Sequence, residues 1–179
     1  MSFHIEPERP SDAVLIEPLL DRTFGFERRS RTVYRLRDRL PPVDDLRFVA
    51  IHDDGGFLGS LRFWAIAISG TPALLLGPLA VEPALQGQGI GRALVRHGLA
   101  EARRLGHRIC VLVGPPEYYG PFGFVAAAAH GLVLPGPVEL PRFQVLEFAP
   151  GALEGVRGLI GRAAPPTGRR KGLRRRAVA

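Results

Sequence analysis

Gly87, Gly89 and Gly91 alternate with Gln88, Ile90 and Arg92 in the stretch Gln86 to Ala93. A main chain that lacks side chains at every second position can approach a ligand closely or turn through positive φ. Helical periodicity begins at once and runs from Ile90 to Leu105. The unpaired N–H groups and the positive dipole end of a helix therefore meet at the same loop. Amides gathered in this way bind an anion, and a diphosphate fits there.

Two better-known phosphate loops do not match. A P-loop closes on Gly-Lys-Ser/Thr, whereas Gly91 is followed by Arg92 and Ala93. The dinucleotide fingerprint requires a Gly or Ala three residues after its second glycine, and Arg92 stands three residues after Gly89. What fits is Gln86-x-x-Gly89-x-Gly91, preceded by apolar Leu79-Ala80-Val81 and followed by Ala93-Leu94. This pattern resembles the acetyl-CoA-binding signature of the GNAT N-acetyltransferase superfamily. The flanking LLLGPLAVEP and the later PEYYGPFGF are similar to its YhbS-like bacterial subgroup. The resemblance is close from Phe48 to Val125 and loose at the ends.

The resemblance implies an α/β (α+β) fold in one GNAT-like domain. Its central sheet would be mixed and mostly antiparallel, with a splay between two strands and helices on both faces. It implies acetyl-CoA as co-substrate, no metal, and transfer of acetyl to a primary amine of a small molecule, peptide or protein by direct attack in a ternary complex. Leu79, Ala80 and Val81 would run beside the pantetheine arm, Leu79 and Val81 through backbone hydrogen bonds. Gln86, Gly87, Gln88, Gly89, Ile90, Gly91, Arg92 and Ala93 would hold the diphosphate, although Arg92 could equally face solvent. In the superfamily a tyrosine precedes a Gly-Phe pair by four residues, and Tyr119 precedes Gly123-Phe124 by that interval. A phenol titrates near 10 and so stays protonated at neutrality, which makes Tyr119 the candidate general acid toward the departing thiolate. Tyr118 is its reserve, since neighbouring helical residues point about 100° apart and both cannot face one sulfur. No base is assigned: Glu82 reads as surface, Glu117 as a helix-start charge, and a water relay serves as well. A non-catalytic acyl-CoA-binding regulator is the first alternative, opposed by the retained Tyr119. An arginine-rich nucleic-acid-binding protein is the second.

The elements that must position these residues can be read in order. Phe3 to Glu6 suits a short edge strand. Ser11-Asp12 suits the cap of a helix reaching Thr23, with Leu15, Ile16, Leu19 and Leu20 as a buried stripe and Pro18 as a potential kink. Arg28 to Leu40 has helical spacing, anchored by Val33, Leu36 and Leu40 and crowded with arginine. One reading is a solvated face partly neutralised by Asp21, Glu27 and Asp38; the other is a lid over the acceptor, with Arg31 or Arg35 meeting a carboxylate or phosphate. Leu46–Ile51 and Gly56–Ser69 flank the turn His52 to Gly55, and Ala73–Val81 follows the turn Gly70 to Pro72. Phe63 and Trp64 must face opposite sides of their strand. In the helix Ile90 to Leu105, Leu94, Gly98, Ala102 and Leu105 share a face that can lie close to a sheet, and Gly106 ends it. Arg108–Gly114, Gly131–Leu134 and Phe143–Phe148 complete the strand patterns. The acceptor's surroundings fall to Phe24–Pro42 and the loops near His130 and Pro135.

Length and composition suit one domain, residues 1–162, with a basic tail, 163–179, expected to be disordered. The net charge is +7, but the chain to Arg162 holds 18 basic and 17 acidic residues, and the tail holds six basic and none acidic. The excess basicity thus supports at most nonspecific contact of the tail with polyanions, because no aromatic residue is interleaved for stacking on bases. No apolar run approaches 18 residues and the start MSFHIEPERPSD lacks a leader's charge order, so we expect a cytoplasmic protein without membrane association. Cys110 is the sole cysteine, set in an apolar strand, and is read as packing rather than a nucleophile. No motif encodes the oligomeric state, and a homodimer is compatible with the sequence.

Overall fold

The computed structural model describes residues 2–163, so all but the first residue of the expected basic tail lies outside the described residues. Nine strands form the sheet: β1 (Phe3–Pro7), β2 (Arg47–His52), β3 (Phe57–Ile68), β4 (Thr71–Val81), β5 (Ile109–Val113), β6 (Val125–Ala126), β7 (Leu132–Val133), β8 (Phe143–Glu147) and β9 (Gly158–Arg162). Their order is β1-β2-β3-β4-β5-β8-β6, with β9 joining β3 and β7 joining β9. Every pair is antiparallel except β4 with β5 and β7 with β9. The helices are α1 (Ala13–Phe24), α2 (Thr32–Arg37), α3 (Ile90–Arg104) and the single turn α4 (Pro116–Tyr119).

The helices cover both faces, as the two-residue period of the strands requires. On one face α3 packs Ile90, Leu94, Val95 and Ala102 against Phe48, Leu61, Phe63 and Leu74. Gly98 is what permits that closeness, since a Cβ there would lie 2.6 Å from the Phe63 ring. On the other face α1 sets Ile16, Leu19 and Leu20 on Val49 and Ala80, and α2 sets Leu36 among Ile66, Leu75 and Val111. Phe63 and Trp64 do lie on opposite sides, Phe63 fully buried and Trp64 half-buried.

Four details depart from the sequence reading. Leu15 is exposed, because the buried stripe of α1 is narrower than its apolar residues suggest, and the helix continues through Pro18. The turn before β4 is Ser69-Gly70, both at positive φ, so Thr71 and Pro72 are already strand residues. The helical pattern after Arg28 is broken: a 3-10 turn, Phe26–Ser30, precedes the short α2. Finally, β9 has no strong strand signature, yet its Ile160 is fully buried and it pairs along the far end of β3.

Candidate active site

β4 and β5 run parallel for only two paired positions, Leu74 with Cys110 and Leu75 with Val111. Beyond them β4 continues to Val81, while β5 turns away with β8 as its other neighbour. The parting coincides with a bulge in β4: Leu76 pairs with Phe63 and Leu79 with Leu61, so Gly77 and Pro78 together oppose Arg62. Gly77 has φ +114 and its carbonyl accepts the Trp64 indole N–H at 2.7 Å. Trp64 therefore braces the bulge from the α2 side.

The edge opened by this parting carries free backbone groups. Glu82 donates its N–H to the Leu58 carbonyl of β3 at 2.9 Å. By the alternation of an antiparallel ladder, Ala80 also faces β3, and the N–H groups of Leu79 and Val81 face the opposite side, where β5 has left. The Gln86 side chain approaches the Val81 carbonyl at 3.5 Å, and Ala80 itself is buried under α1.

At the end of β4 a 3-10 turn, Pro83–Leu85, leads into the glycine loop. Gly87 and Gly89 stand at φ +82 and +87, which side chains other than glycine rarely adopt, and Gly89 caps α3. Gly91 is needed for space instead: a Cβ there would lie 2.6 Å from the Tyr118 hydroxyl. The Gln86 N–H reaches Pro83 at 3.4 Å and the Ala93 N–H reaches Gly89 at 2.9 Å, but no amide from Gly87 to Arg92 donates to an acceptor among the described residues. A run of unpaired N–H groups at the start of a fifteen-residue helix is an anion cradle by construction. Arg92 is exposed beside it.

The two tyrosines of α4 diverge. Their rings meet edge to face at 4.8 Å, with Tyr118 directed at Gly91 and Tyr119 packed against Gly114, where any Cβ would overlap its ring. Tyr119 is 9% exposed, and burial pushes its phenol well above the ordinary value, so it is protonated throughout the neutral range. Its ring belongs to the wall of a cavity of about 530 Å³ that opens between the parted strands, bounded by Leu76 to Leu79 of β4 and by Leu112 to Pro115 after β5. The opposite walls come from Ser30 to Arg37 and from Leu134 to Glu139.

Other candidates are placed as clearly. Cys110 is fully buried and its thiol is driven upward by burial, which fits packing. The Glu82 carboxylate is held by Arg22 at 2.6 Å, and Glu117 is exposed. The arginines around α2 are not one solvated face. Arg31 and Arg35 are exposed on the cavity rim, but Arg28 and Arg37 are buried. Sequence spacing missed both, because the partners of Arg28 lie on α1 and the neighbours of Arg37 beyond its own helix lie on β3 and β4. Among the described residues there is no group of three or more metal-ligating side chains, and no helix is long and apolar enough to cross a membrane.

The chain is similar to several known proteins. Residues 44–126 match the model of the acetyltransferase (GNAT) domain family. The uncharacterized N-acetyltransferase YhbS of Escherichia coli K12 is 36% identical over 158 residues, 87% of this chain and 93% of the relative. YjhQ, a second uncharacterized N-acetyltransferase of that strain, is 31% identical over 142 residues, covering 76% and 77% of the two chains. Among solved structures, E. coli YhbS in complex with CoA superposes with a TM-score of 0.78 at 34% identity over 89% of each chain. A GNAT acetyltransferase from Brucella melitensis in complex with acetyl-CoA gives 0.66 at 33% identity, over 91% of this chain and 97% of the other.

Proposed function

This chain belongs to the GNAT acetyltransferase family, and from that premise we propose that it moves an acetyl group from acetyl-CoA to a primary amine by direct attack in a ternary complex. The observation that carries the reading is the row of unpaired amides from Gly87 to Arg92, set beside a parted strand pair whose cavity Tyr119 walls. In this reading the loop Gln86 to Ala93 holds the diphosphate, and the outward-facing backbone of Leu79 and Val81 takes the place of a lost strand partner by bonding the pantetheine amides. Residues on the far wall, Ser30 to Arg37 and Leu134 to Glu139, surround the acceptor.

The thioester supplies an activated acyl carbon. The amine nitrogen attacks it, a C–N bond forms, the C–S bond breaks, and the proton that the nitrogen loses passes to water and from there restores the Tyr119 phenol after the thiol has formed. Carbonyl polarisation falls to a backbone N–H near Val81, which is already fixed by the sheet and needs no reorganisation. Sulfur leaves with the electron pair and takes the Tyr119 proton. A buried phenol whose pKa is raised is a weaker acid than free tyrosine, but it is reliably protonated, and its low-dielectric surroundings strengthen a hydrogen bond to a nascent thiolate.

A panel of primary amines tests the reading through acetyl-CoA-dependent release of free thiol, with mass spectrometry of the product. Amine-dependent release with a product heavier by one acetyl group is expected. A chain that binds acetyl-CoA but releases no thiol above the uncatalysed rate, with or without an amine, is instead the non-catalytic acyl-CoA-binding regulator.

A further inference from the structure

Among the described residues Arg28, Arg37 and Arg62 point inward, and two of them, Arg28 and Arg62, are paired with carboxylates. Arg28, 2% exposed, donates to Glu17 at 2.8 Å and to Asp21 at 2.5 Å. Arg62 is held by Glu8 at 2.7 and 2.9 Å. These are structural pairs that tie the arginine-rich segment and β3 to α1 and the residues before it.

Arg37 differs from both. It is 8% exposed, yet among the described residues no carboxylate lies within 4 Å of it; its Nε, like that of Arg28, has no hydrogen-bond partner, but Arg28 has two carboxylates on its other nitrogens and Arg37 has none. Its guanidinium lies over the Tyr34 ring at 4.9 Å and 5.9 Å from the Trp64 ring, and Nη2 comes 3.1 Å from where a Cβ on Gly77 would stand. That position is the β4 bulge, in the wall of the cavity that Tyr119 also lines. Aromatic faces hold the charge without neutralising it. Burial lowers its pKa to about 10, the Tyr34 and Tyr119 phenols offsetting this only in part, so it remains a cation at neutral pH. A buried cation without a counter-ion costs free energy, and proteins keep one where something else supplies the anion.

We infer that Arg37 is the receptor for a carboxylate on the acceptor, so that the substrate is a small molecule carrying both a primary amine and a carboxylate. The inference rests on the acetyltransferase reading and names the acceptor class for it. The rest of the wall has the same sign. Arg31, Arg35 and Arg142 line the cavity, and the single acid there, Glu139, faces Arg142 at 3.8 Å. A planar guanidinium whose Nε–H is unpaired matches a carboxylate in two-point geometry, which orients the acceptor as well as binding it. A diamine or a protein lysine side chain would bring a second or an isolated positive charge into this field.

The test uses the full chain with three readouts. Calorimetry measures acetyl-CoA binding. A second titration adds the N-acetyl derivatives of the common amino acids, each against its carboxamide, to the CoA-loaded protein. Thiol release is then followed with the free amino acids and their carboxamides. At least one acid should bind and react better than its carboxamide by about tenfold or more. Arg37→Met should erase that preference by raising KM or Kd for the acid, leave the Kd for acetyl-CoA within about twofold, and leave Tm unchanged or raised. Arg37→Lys should restore part of the preference. A lowered Tm with the acid preference intact would make Arg37 structural and overturn the inference. If acids and carboxamides behave alike in the wild type, the inference falls whether or not the variant folds. Failure to bind acetyl-CoA would instead sink the acetyltransferase reading itself.

Discussion

At the level of single residues, the site depends on what burial does to two side chains. Tyr119 and Arg37 line one cavity, and burial acts on them in opposite senses, raising the phenol and lowering the guanidinium. Both shifts oppose charge on Tyr119 and on Arg37 alike, but neither crosses neutrality, so a neutral acid and a cation coexist. Tyr119→Phe should lower kcat by at least tenfold while leaving acetyl-CoA affinity unchanged, because only the proton is removed. The sign of the pH dependence follows. A raised phenol keeps its proton as pH climbs, so the rate should increase with pH as the amine deprotonates and show no fall attributable to Tyr119 below about pH 10. A descending limb between pH 7 and 9 that vanishes in Tyr119→Phe would contradict this. Tyr119 was legible in the sequence because its interval to Gly123 is local. Arg37 was not, since six arginines crowd one segment and only the tertiary positions of Tyr34, Trp64 and Gly77 single it out.

Elements set the geometry that these residues exploit. The strand and helix periodicities of β2 to β5 and α3 could be read directly, and so could the glycine loop, because each is written in a short window. The parting of β4 from β5 could not be derived from pattern alone; it was expected from resemblance, and the structure places it after Leu75 and Val111. β9 was missed because a strand with one deeply buried side chain, Ile160, presents little alternation. The seat of α3 on the sheet fixes where its free N–H groups point. Gly98→Leu would drive a side chain into Phe63 and Leu61, where even a Cβ would be 2.6 and 3.0 Å from ring and methyl. Overpacking of that kind costs about 1–3 kcal/mol, and tilting α3 should also weaken acetyl-CoA binding. Thermal unfolding and calorimetry on this variant should move together; a lower Tm with unaltered affinity would separate the helix seat from the ligand site.

Over the whole molecule the sheet acts as a frame with two open flanks at one point. α3 delivers unpaired amides on one side of the gap, while α1, the arginine-rich segment and the turns after β7 enclose a positively charged chamber on the other. In the proposed function donor and acceptor would approach the same parted strands from different directions, which is what direct transfer requires. The proposed transfer depends first on how the donor is seated. A crystal structure of the chain with acetyl-CoA should place the diphosphate against the amides of residues 87–92 and the pantetheine arm along Leu79 to Val81, with the sulfur within reach of the Tyr119 hydroxyl. A diphosphate bound anywhere else, or pantetheine lying outside the gap between β4 and β5, would contradict it.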